Sequence, residues 1–161
     1  MLIEQQDEIK QRAYDEAMRY MSNAKETLQK ARKEDNYYAD KKYVRTACGT
    51  AYNGVLLALE TYLELKGVEI PKKGGKKHKS IEFYVDNVAQ LDGKLLKELN
   101  SAYRILHIDG YYEGEQNAMA VKNGFDIAYR IIERIKPDHP VALPPPVAKP
   151  SFFKQMYSIF L

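Results

Sequence analysis

The stretch that most constrains the fold runs from Asn36 to Gly67, NYYADKKYVRTACGTAYNGVLLALETYLELKG. It reads as one helix of about eight turns. Ala47, Ala51, Gly54, Ala58, Tyr62 and Leu65 recur at helical spacing along one side. Val44, Cys48, Tyr52, Val55, Leu59 and Leu63 recur along the adjoining side. A stripe that wide cannot be covered by one neighbour, so the helix belongs in the middle of a bundle.

The remaining segments read as packing around it. From about Ile3 to Glu34, Ile9, Ala13, Ala17, Met21, Ala24, Leu28 and Ala31 form one apolar stripe on a charged rod. Asp35 and Asn36 offer a cap for the central helix, and so short a connection makes the first two helices antiparallel. Gly67 stops the second helix. Val68 to Ser80 is a loop by its Pro71 and its Gly74-Gly75 pair.

Ser80 reads as the N-cap of a third helix whose apolar side is Ile81, Tyr84, Val85, Val88 and Leu91, ended by Asp92-Gly93. A fourth helix from about Lys94 to Ile108 turns Leu95, Leu99, Ala102, Tyr103 and Leu106 inward, and Gly110 and Gly114 bracket a turn. A fifth, Asn117 to Lys136, presents Ala118, Val121, Phe125, Ala128, Ile132 and Ile135, and Pro137 stops it. No segment alternates with strand period. The expected fold is all-α, an up-and-down antiparallel bundle of four to five helices over residues 1–136. Residues 137–161 then form a Pro-rich C-terminal tail, an extended spacer followed by the apolar segment SFFKQMYSIFL.

Composition bounds the function classes. At 161 residues the chain makes one domain with a sizeable core. A net charge of +3 is too small to argue for nucleic acid by itself. The 13 tyrosines, with no tryptophan, suit half-buried seams or, alternatively, a base-stacking surface. Cys48, the single cysteine, permits no intrachain disulfide. The start, MLIEQQDEIKQR, has no apolar run of signal-peptide kind. No stretch approaches the roughly 18 apolar residues of a membrane span, so a cytoplasmic protein without membrane contact is expected.

Two places carry candidate chemistry. Metal and cofactor sites are not expected, since no His or carboxylate cluster has ligand spacing and no Gly-rich phosphate loop is present. Lys72, Lys73, Lys76, Lys77 and Lys79, with His78, form a basic loop. It reads either as a phosphate-neutralising patch or as a solvated connector. In YRILHIDGYYEG, Arg104 and His107 stand three apart near a helix C-terminus. There they either complement the carbonyl dipoles or act together, the Arg gripping a phosphate and the His moving a proton.

The order of these features resembles the HEPN superfamily of small helical bundles, and more narrowly a branch seen in Bacteroidetes. The features are a long first helix, Asn36-Tyr37-Tyr38-Ala39 leading into Ala47–Tyr52 and Leu56–Leu65, Gly67, the loop ending Lys77-His78-Lys79, and an Arg and His before Gly-Tyr-Tyr. The resemblance spans roughly Tyr20 to Lys136. It implies a bundle that is often a homodimer. Some members are metal-independent ribonucleases of toxin–antitoxin or defence systems, and others bind RNA or nucleotides or act as interaction modules. A minimal nucleotidyltransferase is the partner that a toxin–antitoxin pair would imply. The family's catalytic motif places four to six residues between Arg and His, whereas only Ile105 and Leu106 separate Arg104 from His107. The leading expectation is therefore a homodimeric, non-catalytic binding or protein-interaction module. The alternative is a ribonuclease using Arg104 and His107.

Overall fold

The computed structural model describes residues 2–74, 76–77 and 80–145. Among these residues are five α-helices: α1 (Ile3–Gln29), α2 (Lys41–Leu65), α3 (Ile81–Leu91), α4 (Gly93–Ala102) and α5 (Ala118–Ile132). A π-helix, Tyr103–Tyr112, continues α4 without a break, and a 3-10 turn, Glu133–Ile135, closes α5. Two antiparallel hairpins of two-residue strands interrupt the helices: β1 (Lys33–Glu34) with β2 (Tyr37–Tyr38), and β3 (Lys72–Lys73) with β4 (Lys76–Lys77).

The architecture is an all-α antiparallel bundle centred on α2. An ideal Cβ on Gly54 would lie 3.2 Å from Tyr20 Cβ and 3.3 Å from the Ala17 carbonyl, so α1 and α2 touch backbone to backbone at midpoint. Farther along, the Asp40 N–H donates to the Ala31 carbonyl, which fixes the two helices as antiparallel. Val44, Ala47, Cys48, Ala51, Tyr52, Gly54, Val55, Ala58, Leu59 and Leu63 of α2 are all buried, so its apolar stripe is covered on both of its expected sides. Met21 and Ala24 from α1, Leu95 and Leu99 from α4, and Phe125, Ala128 and Ile132 from α5 complete the core. Ile9 and Leu91, both expected inside, are 39% and 43% exposed.

The connection before α2 differs from expectation. Asp35 and Asn36 form the turn of the β1–β2 hairpin, with Asp35 at φ +54, a conformation that Asp tolerates better than most residues. The cap of α2 is Asp40, whose carboxylate accepts from the Lys42 N–H at 2.9 Å. Strands of two residues are too short to show alternation, which is why no β signal stood out.

Elsewhere the caps fall where the side chains dictate. Ser80 Oγ accepts from the Phe83 N–H at 3.3 Å. Asp92 Oδ1 accepts from the N–H groups of Lys94 and Leu95, so the residue ends α3 and starts α4 in one step. Asn117 Oδ1 accepts from Met119 and Ala120. Beyond α5 the chain is extended and lies along the first half of α1. Asp138 pairs with Lys10 at 3.2 Å, and the Val141 N–H donates to Gln11 Oε1. The apolar segment 151–161 lies outside the described residues. No helix among those described is long and apolar enough to cross a membrane.

Candidate functional site

The fourth helix does not run as α-helix to Ile108 and then turn. From Tyr103 the backbone widens, and Gly110 lies inside the π-helix rather than in a turn. At its end the Glu113 N–H reaches back to the Ile108 carbonyl, an i→i−5 bond. Helices of this kind are rare beyond a single turn and concentrate at functional sites. Glycine permits this one. An ideal Cβ on Gly110 would sit 2.6 Å from both Cβ and Sγ of Cys48 and 3.0 Å from the Ile105 carbonyl. On α5, a Cβ on Gly124 would come within 2.7 Å of Ile105 and 2.8 Å of Leu106. The π-helix is thus seated against α2 and α5 where side chains have been removed.

Widening the helix changes which residues align. In a turn that closes at i→i+5, residues four apart nearly superpose, while residues three apart swing about a third of a turn from each other. Tyr103, His107 and Tyr111 accordingly line up, with ring centroids 5.3 Å apart for the first pair and 5.9 Å for the second. His107 stacks on Tyr52 of α2 at 4.8 Å and meets Tyr112 edge-on at 5.0 Å. Four tyrosines surround one imidazole. Burial among them pushes the His107 pKa below its ordinary value.

Arg104 does not join this cluster. Its side chain is 81% exposed and its guanidinium approaches Asp109 at 3.9 Å, five residues on and hence on the same side of a π-helix. Of the two candidate residues, His107 lies in the aromatic stack and Arg104 is exposed beside Asp109.

The lower end of the stack is open. Tyr111 is 45% exposed and Tyr112 57%, with their rings edge-on at 5.1 Å. A Cβ on Gly49 would fall 3.0 Å from Tyr111 Cδ2, so that ring rests directly on the α2 backbone. The exit from the π-helix is tied down as well. Gly114 adopts φ +70, the Tyr38 N–H donates to the Gln116 carbonyl at 2.8 Å, and the Ala118 N–H donates to the Asn36 carbonyl at 2.7 Å.

The basic loop is placed elsewhere. Lys72 and Lys73 pair across the small hairpin with Lys77 and Lys76, and His78 and Lys79 lie outside the described residues. The loop follows Gly67, about 22 Å along α2 from Tyr52 at 1.5 Å per residue, so lysines and aromatic cluster form separate places. Among the described residues no group of three or more His, Cys, Asp or Glu is positioned to hold a metal ion. Cys48 is fully buried, and burial pushes its thiol pKa up to about 12, which keeps it unreactive.

The residues that sequence reasoning missed are Tyr52 as the floor of the His107 stack and Gly110 as the glycine that admits the wide turn. The i, i+4 aromatic repeat Tyr103, His107, Tyr111 was the available signal.

Comparison with known proteins places the chain without supplying a function. A family model described as Domain of unknown function (DUF5618) matches residues 12–137. A solved structure, described as a protein of unknown function from Dyadobacter fermentans, is 40% identical, with a TM-score of 0.68. That likeness covers 79% of this chain and 95% of the other. No curated protein matches. The chain belongs to the DUF5618 family.

Proposed function

We propose that this member of the DUF5618 family is a HEPN-like, non-catalytic interaction module that pairs with a second copy of itself through the π-helix face. The observation that carries the reading is the exposed Tyr111–Tyr112 pair on a backbone pinned against α2. Tyrosine offers a large contact area at the cost of only two rotatable bonds, and such rings dominate binding energy where they cluster. Rings already locked by neighbours lose less freedom on binding.

A second copy is favoured because the patch complements itself. Arg104 and Asp109 share one side of the π-helix. Across a twofold axis, each surface meets its own image, so a patch carrying one cation and one anion can match both. Arg104 of one copy would then face Asp109 of the other. A cytoplasmic setting belongs to the same reading, in keeping with the one buried free thiol.

Sedimentation equilibrium tests the proposal. The wild type should associate at micromolar concentration, and Tyr112→Arg should be monomeric with an unchanged circular dichroism spectrum. A wild type that stays monomeric, or a variant that still dimerises, would overturn it.

One observation favours the second reading, a metal-independent ribonuclease. Burial lowers the His107 pKa and so favours the neutral imidazole, the state a general base requires. Against it stands the Arg104 side chain, which is 81% exposed and has Asp109 as its nearest charged neighbour at 3.9 Å. Incubation with mixed RNA in EDTA decides between them. Cleavage lost in both Arg104→Ala and His107→Ala would establish the enzyme, and no cleavage by the wild type would reject it.

A further inference from the structure

We propose that the groove between α1, α5 and the β1–β2 hairpin binds a small organic anion with a flat apolar body. This site lies apart from the π-helix face and does not rest on its reading. The groove has a volume of about 450 Å³, within the range of small-molecule sites. Its walls are apolar and aromatic: Phe125 and Tyr129 from α5, Tyr38 from β2 and Leu28 from α1. Its rim is cationic.

Three lysines and one aspartate line the groove, a net charge of +2. Lys122 and Asp126 are spent on each other at 2.6 Å, one turn apart on α5. That leaves Lys25 and Lys33, neither of which has a carboxylate within ion-pair distance among the described residues. Lys25 Nζ lies 5.5 Å from the centre of the Tyr129 ring. Lys33 is the cross-strand partner of Tyr38, and both contribute to the wall. One ammonium group beside an aromatic ring and a second lining the same groove, neither paired with a carboxylate among the described residues, call for a ligand that is negative at one end and flat and apolar at the other. An aromatic carboxylate, sulfonate or phosphate meets that description.

The groove is also built in advance. The hairpin that forms one wall is held by the Tyr38 N–H on the Gln116 carbonyl and by Gln116 Nε2 on the Tyr38 carbonyl, both 2.8 Å. A ligand therefore finds its wall in place and orders little on entry.

Fluorescence titration of the full chain with anilinonaphthalene sulfonate, a flat aromatic anion, tests the assignment. Phenylnaphthylamine serves as the uncharged analogue. One probe should bind per chain at low salt, and Lys25→Glu and Lys33→Glu should each weaken it by about tenfold, a change of about 1.4 kcal/mol. Both lysines are exposed, so circular dichroism should stay unchanged in both variants. The uncharged analogue should bind more weakly than the sulfonate. Equal affinity in wild type and both charge reversals would overturn the proposal, as would binding that is lost in Tyr112→Arg instead. Binding that appears only after deletion of residues 146–161 would give the groove to the chain's own tail. Binding that fades as protein concentration rises would give it to a second copy.

Discussion

His107 stacks on Tyr52 with ring centroids 4.8 Å apart and planes 29° from parallel. One residue comes from the centre of the bundle and the other from the π-helix, so the imidazole is part of the seam between them. Its pKa is depressed by burial from an ordinary 6.5. The folded state therefore resists protonation, while the unfolded chain accepts the proton near 6.5. Stability should be lost as pH falls through that value toward the folded pKa. An NMR titration of the His107 ring should give a midpoint below 6.5. In Tyr52→Leu, where one ring of the stack is gone and water can approach, the midpoint should move back up.

Gly110 should tolerate no side chain. In Gly110→Ala the new methyl would sit 2.6 Å from Cys48 and 3.0 Å from a backbone carbonyl, so α2 and the π-helix must part. Overpacking of this kind costs about 1–3 kcal/mol, or roughly 2–4 °C of melting temperature per kcal/mol at this size. Gly93→Ala is the control, because nothing lies within 4 Å of its added Cβ. Thermal melts should separate the two variants clearly. Equal melting temperatures would mean that the contact with Cys48 is not tight.

Much of the fold was legible because burial imposes period. The stripes of α1, α2 and α5 fall on residues that are mostly buried, Ser80 caps the helix it precedes, and the fifth helix begins within a residue of Asn117. Two features escaped for physical reasons. The β1–β2 hairpin has two residues per strand, too few for alternation, and its Asp35-Asn36 turn uses residues equally suited to a helix cap. The π-helix keeps nearly the apolar spacing of an α-helix, so Leu99, Ala102 and Leu106 look alike in either geometry. Tyr103, His107 and Tyr111, four apart, share a face in either geometry, and the tight approach of Gly110 to Cys48 is a tertiary contact that no local spacing announces.

Alkali should destabilise the bundle. Burial raises the pKa of Cys48 from 9.0 to about 12 and raises those of Tyr52 and Tyr84 above 10.0. Here the folded state holds protons that the unfolded chain releases, so stability is full below pH 9.0 and falls as pH climbs above it. Each such group contributes up to about 1.4 kcal/mol per pH unit. Urea midpoints measured on either side of that value should show the fall, and Cys48→Ala should show a smaller one. A flat profile would mean that these groups are hydrated in the fold.

Asp92 should prove to have two separable roles. One oxygen caps α4, and the other accepts from Arg134 Nη1 at 2.6 Å, tying α4 to the end of α5. Asp92→Asn keeps a capping oxygen and loses the charge, whereas Asp92→Ala loses both. The alanine variant should be the less stable by about 1 kcal/mol, the worth of a cap. Chemical denaturation of the two variants checks the order, and equal midpoints would assign the whole effect to the ion pair.

The central claim is that the π-helix face meets its own image, with Arg104 opposite Asp109. Its most direct test is a mixing experiment read by sedimentation equilibrium. Arg104→Asp alone places two anions on the face and Asp109→Arg alone places two cations, so each variant by itself should be monomeric through like-charge repulsion. Mixed in equal amounts, the two should form a heterodimer, because every anion then faces a cation. Monomers in both separate solutions and a dimer in the mixture are the predicted result. A mixture that stays monomeric, or single variants that associate as tightly as the wild type, would contradict the account.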